Sequence, residues 1–275
     1  MRRIAHLSDV HFGTEDPVIT ELAVEAVNLS NPDVVVVSGD LTQRARSSEF
    51  IAARKFLDLL PRPQVVVPGN HDVPLYNIFD RFFRRLNKFQ KYITDDLTPM
   101  FADDELAIIG VNTARSFVVK GGRINEEQIE FIRSKLCVLD DTMLKVVVTH
   151  HPFDLPENSH HTDVVGRAAH AMPKIAECGG DVFLAGHLHV GHIETTAKRY
   201  KLEGGRNALV IQAGTATSAR VRGEPHSFNL IDFDHPQLTI VRQECRDMSQ
   251  GFVPAEEKKY IQSARGWERS DVTTQ

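Results

Sequence analysis

The sequence has few cysteines, and their positions exclude two classes of site. Only three occur in 275 residues, at Cys137, Cys178 and Cys245. An odd number of widely spaced cysteines fits neither a disulfide framework nor a CxxC metal site. We therefore expect three reduced, buried thiols, and we expect any metal ligands to be nitrogen and oxygen atoms.

The chain also lacks a long apolar run and an excess of positive charge. No stretch approaches the roughly 20 apolar residues of a membrane span, and the N-terminal MRRIAHLSDVHFG lacks the apolar segment of a signal peptide. The net charge is -5 and the pI about 6.2, so no overall basic field favours nucleic acid. These absences predict a cytoplasmic protein that binds no nucleic acid.

Short apolar runs are present instead, and each ends in a polar turn that contains glycine or histidine. The runs are RRIAHLSDVH at the N-terminus, DVVVVSGD (33–40), QVVVPGNHD (64–72), LAIIGVNT (106–113), LKVVVTHH (144–151) and DVFLAGHLH (181–189). Continuous Val and Ile are typical of strands buried on both faces. Helices are predicted between them at 17–29, 47–60, 125–138 and 166–178. This alternation indicates a layered α/β fold.

The last third of the chain changes character. HIETTAKRY, ALVIQAG, SFNLIDF and LTIVRQ are strand-like, with few helical segments between them. They predict a second, mainly antiparallel sheet packed on the first. Residues 1–245 are predicted to form one domain, and residues 246–275 a polar C-terminal tail with a short helix.

Candidate metal ligands stand where the predicted strands end. They are Asp9, His11, Asp40, Asn70, His150, His187 and His189, and glycines at 39, 69 and 186 come just before three of them. Side chains two positions apart on an extended segment point the same way, so Asp9 pairs with His11 and His187 with His189. If the strands are neighbours in one parallel sheet, all seven side chains meet at its carboxyl edge.

These donor types select a class of metal. Imidazoles, carboxylates and one amide suit Mn, Fe, Zn, Co or Ni better than Cu(I) or an iron–sulfur cluster. Seven donors exceed what one tetrahedral centre needs. Two metals about 3.5–4 Å apart that share a carboxylate are the simplest assignment, and such a pair can bind both the attacking and the leaving oxygen at phosphorus.

The motifs together resemble those of a known superfamily. DVH (9–11), GDLT (39–42), GNHD (69–72), HHP (150–152) and GHLH (186–189) are similar to the motifs of the calcineurin-like metallophosphoesterases, above all the bacterial branch with class III cyclic-nucleotide phosphodiesterases. The resemblance implies a four-layer αββα sandwich of two mixed β-sheets flanked by helices, with the metal site at strand ends. It assigns one metal to Asp9, His11, Asp40 and His189, and the other to Asp40, Asn70, His150 and His187. Asp40 bridges them, and Mn or Fe is expected.

The same resemblance implies a reaction. A hydroxide that bridges the metals attacks phosphorus in line, because the cations lower the pKa of bound water. His71 is expected to contact the phosphate and to protonate the leaving oxygen, a transfer that suits an imidazole near neutral pH. Asp72 is expected to orient His71.

Several loop residues are candidates for substrate contacts. Arg44 follows the GDLT motif, and Asn112 and Arg115 follow an apolar strand. For each, the alternative is an ordinary solvated or structural loop position. His151 is expected to pack beside a ligand and not to bind metal, while the histidines at 160–161 either line the pocket mouth or lie in water.

The segment NIFDRFFRRLNKFQKY (77–92) mixes apolar residues at helical spacing with five basic ones. It predicts either a cap helix with its aromatic face in the core, or a lid that attracts anionic substrates or contacts lipid head groups.

The sequence thus predicts a dinuclear metal phosphodiesterase that hydrolyses a small phosphorylated substrate, with a cyclic nucleotide leading by resemblance. One alternative is a hydrolase of another phosphodiester or pyrophosphate, such as a UDP-linked lipid precursor. A non-catalytic scaffold with this fold is the other alternative. A homodimer is an expectation carried over from the branch that the sequence resembles.

Overall fold

The computed structural model of the chain describes residues 1–75, 79, 83–115, 121–155, 164–196, 199–200, 202, 206–218 and 223–270. The helices in this part of the chain are α1 (Pro17–Ser30), α2 (Ser47–Leu59), α3 (Asn87–Tyr92), α4 (Glu126–Leu136) and α5 (Ala168–Ala176). The strands are β1 (Arg2–Leu7), β2 (Val34–Val37), β3 (Gln64–Val66), β4 (Met100–Ala102), β5 (Leu106–Gly110), β6 (Leu144–Val148), β7 (Val182–Ala185), β8 (His192–Thr195), β9 (Leu209–Gln212), β10 (His226–Asp234), β11 (Gln237–Cys245), β12 (Val253–Ser263) and β13 (Gly266–Arg269).

These strands form two mixed sheets. Sheet 1 has the order β13-β12-β11-β10-β1-β2-β3, and sheet 2 has the order β4-β5-β6-β7-β9-β8. Strands β1, β2 and β3 run parallel, as do β5, β6, β7 and β9, while the remaining pairs are antiparallel. The prediction of two mixed sheets is confirmed.

Three apolar layers hold the sandwich together. Residues from both sheets share the central layer, for example Val36 of β2 and Val146 of β6. A second layer packs α1 and α2 on the outer face of sheet 1, and a third packs α4 and α5 on the outer face of sheet 2. The order is therefore helices, sheet, sheet, helices, as the αββα prediction requires.

Strand β2 shows why a run of four valines can serve two layers. Val34 and Val36 face the central layer, whereas Val35 and Val37 face the helices. Side chains alternate across a strand, so a strand covered on both faces is apolar at every position. The continuous valine run was the signal for this environment.

The predicted helices form close to their predicted bounds, and their start signals are visible. Asp16 caps α1 by accepting hydrogen bonds from the backbone N–H groups of residues 18 and 19, just before Pro17. Asn125 caps α4 and forms a capping box with Gln128.

The C-terminal strands do not form a sheet of their own, which corrects the prediction. Strands β8 and β9 join sheet 2, and β10 to β13 extend sheet 1. The segment 246–275 was expected to be a tail with a short helix, but its described part forms the hairpin of β12 and β13. Backbone pairing with β11 holds β12, so its side chains can stay polar, and Trp267 of β13 enters the central layer.

Two of the three cysteines also differ from the prediction. Cys137 and Cys178 form a disulfide, while Cys245 is free and buried as expected. Helices α4 and α5 lie side by side on sheet 2, where the Arg133 guanidinium donates to the backbone oxygen of Lys174. Their C-terminal ends therefore meet, although the two cysteines are 41 positions apart.

Among the described residues, no helix combines the length and the apolar character that a membrane span requires.

Asp181 supports a prediction about stability and pH. It is buried at the start of β7, where its carboxylate accepts from the backbone N–H of Lys145 at 3.1 Å. Burial raises its pKa from 3.8 to about 7. Because the folded pKa lies above the unfolded one, this group costs stability progressively as the pH rises from about 4 to about 7.

We expect Asp181→Asn to remove this cost while retaining an oxygen for Lys145. Its free energy of unfolding should exceed that of the wild type by up to about 4 kcal/mol at pH 8, and by little at pH 4. Urea unfolding across this range measures the difference, with the exposed Asp104→Asn as the control. A difference that stays constant with pH would contradict the assignment.

Candidate metal centre

The seven candidate ligands lie together at the carboxyl ends of strands from both sheets. Strands β1, β2 and β3 of sheet 1 lead into the DVH, GDLT and GNHD motifs, and β6 and β7 of sheet 2 lead into HHP and GHLH. The strands that carry the donors are therefore not all neighbours in one parallel sheet. Because both sheets of the sandwich end at the same edge, their loops face each other across it.

One group of donors contains Asp9, His11 and His189, with Asp40 beside it. The two Nε2 atoms of His11 and His189 are 3.3 Å apart. Asp9 Oδ1 is 3.6 Å from His11 Nε2 and 3.5 Å from His189 Nε2. Asp40 Oδ2 is 3.6 Å from His11 Nε2. Four donor atoms thus surround one point.

The second group contains Asn70, His150 and His187, again with Asp40. His150 Nε2 is 3.3 Å from Asp40 Oδ2, 3.1 Å from Asn70 Oδ1 and 3.3 Å from His187 Nδ1. The same Asp40 oxygen therefore borders both groups, in the position that a bridging ligand would need.

The donor atoms fit cations better than they fit one another. The Nδ1–H of His150 donates to the Ser38 carbonyl at 2.8 Å, which leaves a lone pair on Nε2 of the neutral ring. That lone pair faces another ring nitrogen, so the pair needs a proton or a metal between the two atoms. Asp9 Oδ1 is buried and accepts no hydrogen bond from the described residues. Buried carboxylate and imidazole donors of this kind suit transition metals.

The charges in the site favour the ionised carboxylates. Burial would raise the pKa of Asp9, but the charge of His189 and the adjacent His11 imidazole lower it below its usual range. Burial would likewise lower the pKa of His150, yet the negative charge of Asp40 raises it to about 9. The pKa of His187 falls to about 3, because of burial and the positive charge of His150. The carboxylates thus attract positive charge to this point.

The backbone at these positions is unusual. Positive φ angles occur at five of the seven ligands, namely Asp9 (53°), His11 (47°), Asp40 (51°), His187 (74°) and His189 (60°). This left-handed conformation costs non-glycine residues free energy and is typical of functional sites. The i, i+2 pairs therefore converge through left-handed turns, and the predicted extended geometry is wrong.

Hydrogen bonds from neighbouring segments hold the ligands in place. The N–H of His187 donates to Asp9 Oδ2 at 3.0 Å, and the N–H of His71 donates to Asp40 Oδ1 at 2.8 Å. Thr215 Oγ1 lies 2.8 Å from His189 Nδ1. The Ser38 carbonyl and Thr215 were not identified from the sequence, because a backbone acceptor and an isolated threonine carry no motif.

His71 borders the first group of donors, because a ring nitrogen of His71 lies within 4.8 Å of donor atoms of His11 and Asp40. Its ring is half-buried and packs edge-on against His11 with centroids 4.8 Å apart. Its Nδ1–H donates to the Gln43 carbonyl at 2.8 Å. This bond fixes the ring, so the expectation that Asp72 orients His71 is wrong.

Asp72 has a different task. Its carboxylate accepts from the backbone N–H groups of Leu41, Thr42 and Gly69 and from the Thr42 hydroxyl. It ties the GDLT loop to the GNHD loop. Burial and the charge of Asp40 raise the pKa of Asp72 to about 6.

The residues predicted to contact the substrate lie near this edge, but their side chains differ in exposure and in hydrogen bonding. Arg44 is exposed. Asn112 is buried, and its side-chain oxygen accepts from the N–H of Ala114. Arg115 is half-buried and bonds to the Arg123 carbonyl. His151 packs against the rings of His150 and His187. Substrate contact stays a prediction for the first three of these residues.

Two other loop features lie partly or wholly outside the described residues. The histidines at 160–161 fall outside them, as do 77–78 and 80–82 of the aromatic and basic segment. In the part of that segment that the structure describes, Phe89 is buried in the outer layer of sheet 1. Phe79 and Phe83 are 56% and 76% exposed and pack on each other, so the aromatic side chains do not all enter the core.

Glycine is required at the first position of three of the motifs because the loops approach one another closely. A Cβ on Gly69 would lie 2.1 Å from Asp40 Oδ1 and 2.3 Å from Asp40 N, and one on Gly186 would lie 1.8 Å from Ser8 Oγ. A Cβ on Gly39 would lie 2.7 Å from His150 Nδ1. The backbone therefore approaches neighbouring atoms closely at all three glycines.

Gly69→Ala should therefore displace Asp40 from both groups of donors. We expect the free energy of unfolding to fall by about 1–3 kcal/mol and the metal content to fall with it. Urea unfolding and metal analysis test this. Gly223→Ala is the control for metal content: its φ of +87° disfavours alanine and lowers stability, but its Cβ would meet no atom within 4 Å, so the metal content should stay full. A Gly69→Ala protein with unchanged stability and full metal content would refute the crowding argument.

Curated proteins that are similar to part of this chain are named as phosphodiesterases. The chain is 26% identical over 136 residues to a probable glycerophosphodiester phosphodiesterase of Arcobacter nitrofigilis, which covers 48% of this chain and 46% of the relative. It is 27% identical over 165 residues to the glycerophosphodiester phosphodiesterase of Enterobacter lignolyticus, covering 55% and 58%. It is 20% identical over 164 residues to a probable cyclic nucleotide phosphodiesterase of Fibrobacter succinogenes, covering 54% and 57%. The matches thus span about half the length of these curated relatives.

Solved structures share the fold at low sequence identity. A purple acid phosphatase from yellow lupin seeds superposes with a TM-score of 0.69 at 14% identity, over 94% of this chain and 53% of that one. A dimetal phosphatase from Danio rerio gives 0.64 at 15% identity, over 95% and 99%. The GAP50 anchor of the Plasmodium inner membrane complex gives 0.59 at 14% identity, over 91% and 85%.

Residues 2–191 match the sequence profile of the family described as calcineurin-like phosphoesterase. That range contains all five motifs and the seven donors that meet at the sandwich edge. The chain therefore belongs to the calcineurin-like phosphoesterase family.

Proposed function

We propose that the protein is a dinuclear metal phosphodiesterase. The observation that carries the proposal is the pair of donor groups that share Asp40, whose Oδ2 lies 3.6 Å from His11 Nε2 and 3.3 Å from His150 Nε2. One metal would be held by Asp9, His11, Asp40 and His189. The other would be held by Asp40, Asn70, His150 and His187. Mn and Fe are the metals that we expect first.

When bound, the two metals supply Lewis acidity toward the phosphate and acidify bound water. The protein's own residues position the metal ligands and donate a proton. The hydrogen bonds that His150 makes to the Ser38 carbonyl and His189 makes with the Thr215 hydroxyl would hold the two rings with their other nitrogen toward the metals. Asp72 holds the GDLT and GNHD loops together through its hydrogen bonds.

His71 is the residue that we assign to the leaving group. The Gln43 carbonyl holds its Nδ1–H, so Nε2 is the nitrogen left to face the substrate. Since the ring is half-buried beside His11, it can contact a phosphate oxygen and deliver a proton as the P–O bond breaks.

Two classes of diester lead among substrates. Cyclic nucleotides follow from the motif resemblance and from the name of the Fibrobacter relative. Glycerophosphodiesters follow from the names of the two relatives with 26% and 27% identity. A UDP-linked lipid precursor remains an alternative, supported by the exposed Phe79 and Phe83.

A hydrolysis panel with added Mn tests the proposal. It compares bis-p-nitrophenyl phosphate, p-nitrophenyl phosphate, cyclic AMP, a glycerophosphodiester and a UDP-linked lipid. We expect cleavage of diesters to exceed that of the monoester. Faster monoester cleavage would refute the phosphodiesterase assignment.

A scaffold is the second candidate function, because the GAP50 anchor has this fold. The complete donor set argues against it, since a scaffold has no use for seven convergent ligands. Purified protein that contains no transition metal and stays inert with added Mn would favour the scaffold.

A further inference from the structure

A further histidine lies behind the second group of donors, and the proposed reaction does not use it. The His151 side chain is fully buried. Its ring packs against that of His150 with centroids 4.9 Å apart, and against that of His187 with centroids 4.6 Å apart. One of its ring nitrogens lies within 4.8 Å of donor atoms of both residues. His151 thus contacts two of the four side chains that would hold one metal.

The first group of donors packs differently. The ring of His11 stacks on that of His189 with centroids 5.0 Å apart. Among the described residues, ring contacts join His151 to His150 and His187 but not to His11 or His189. A change at His151 should therefore act on one metal position and not on the other.

Hydrogen bonds from two buried threonines fix His151. Thr113, which follows β5, places Oγ1 at 2.8 Å from Nδ1 of the His151 ring. The same oxygen accepts from the backbone N–H of His151 at 3.5 Å. The Thr149 hydroxyl donates to the His151 carbonyl at 2.8 Å. The imidazole cannot turn away from the ligand rings without losing its bond to Thr113.

Backbone closes the space behind the ring. A Cβ on Gly122 would lie 2.2 Å from His151 Nδ1 and 2.4 Å from its Cγ. The Gly122 carbonyl accepts from the N–H of Gly166 at 2.8 Å, so this backbone is itself held in place. The His151 ring is therefore confined between the Gly122 backbone and the rings of His150 and His187.

We infer that His151 is a positioning residue for the metal held by the second group of donors, and that Thr113 orients it. The inference rests on the proposed dinuclear centre and adds a residue that sets the affinity of one metal independently of the other. Side chains that lie behind metal ligands fix their orientation, and losing one costs about 10–100-fold in metal affinity.

Titration of the metal-free protein with Mn(II) tests this, followed by calorimetry and by electron paramagnetic resonance. In the wild type we expect two bound ions whose spectra are coupled through their shared ligand. His151→Ala should bind one ion as the wild type does and the other about 10–100-fold more weakly. At intermediate Mn(II) concentrations the spectrum of a single, uncoupled ion should then appear.

Thr113→Val separates orientation from direct ligation, because it keeps the His151 imidazole and removes only the hydroxyl. The same metal position should weaken, and Thr113→Ser should restore it. Gly122→Ala, whose Cβ would press on the ring, should weaken that position as well. If His151 were itself a ligand, His151→Ala would lose the ion while Thr113→Val kept wild-type affinity. That result would overturn the inference.

Thr196→Val is the matched control. Thr196 is also fully buried, and its Oγ1 accepts from the N–H of Ala208 at 2.9 Å, just before β9 and therefore at the opposite edge of sheet 2. This variant should bind both ions as the wild type does. Within each test variant, the unweakened ion reports that the chain is folded.

Unchanged affinity for both ions in His151→Ala, or equal weakening of both, would overturn the inference and leave the dinuclear proposal intact. A wild-type protein that binds only one ion would refute the dinuclear proposal. The inference would then stand only if His151→Ala and Thr113→Val weaken that ion. A wild-type protein that binds no ion would overturn both.

Discussion

An Asp40→Asn variant is expected to lose both bound metals and at least about a thousandfold in diester hydrolysis, because the Lewis acidity of a metal pair contributes several kcal/mol to the transition state. Asp40 Oδ2 borders both groups of donors, at 3.6 Å from His11 Nε2 and 3.3 Å from His150 Nε2. The amide keeps the shape of the side chain but removes the negative charge that two cations would share.

Metal analysis of the purified variant, together with turnover of bis-p-nitrophenyl phosphate, measures this loss. Asp16→Asn is the matched control, because asparagine caps α1 as well as aspartate does. An Asp40→Asn protein that retains two metals per chain and normal turnover would exclude Asp40 as the shared ligand.

The metal ligands could be predicted from the sequence for a physical reason. Val34–Val37 is apolar at every position because it is covered on both faces, so its end is sharply marked by Ser38, Gly39 and Asp40. The other motif strands end in the same way. Donors that follow such ends must lie at a sheet edge, and this is where the structure brings them together.

The sequence could not show which strands belong to which sheet. The strands that lead to His150 and His187 belong to sheet 2, whereas those that lead to Asp9 and Asp40 belong to sheet 1. An apolar strand buried on both faces has the same composition in either sheet. Strand pairing is a backbone property, which also explains how the polar β12 could be mistaken for part of a tail.

The finer geometry of the site was hidden for a related reason. The left-handed turns at Asp9 and His187 contradict the extended pairing that a period of two predicts. The Nδ1–H of His71 donates to the Gln43 carbonyl and that of His150 to the Ser38 carbonyl, so both bonds use backbone oxygens as acceptors. Any residue carries such an oxygen, so no motif reveals it.

His71→Ala is expected to lower turnover of a diester by about 10²–10⁴-fold, the usual contribution of a positioned general acid, while both metals stay bound. The reason for the retained metals is local. The bond that supports Asp40 Oδ1 comes from the backbone N–H of residue 71 at 2.8 Å, and alanine keeps that N–H. Only the imidazole, with its bond to the Gln43 carbonyl, is lost.

The dependence on the leaving group separates proton donation from a structural role. A p-nitrophenolate leaves without much need of a proton, whereas an alkoxide needs one, so His71→Ala should slow alkyl diesters more than p-nitrophenyl diesters. His170→Ala, an exposed histidine on α5 that pairs with Glu126, is the control for loss of an imidazole. Equal slowing of every leaving group would show that His71 binds phosphate without donating a proton. Loss of metal from His71→Ala would instead make His71 part of the metal-binding groups.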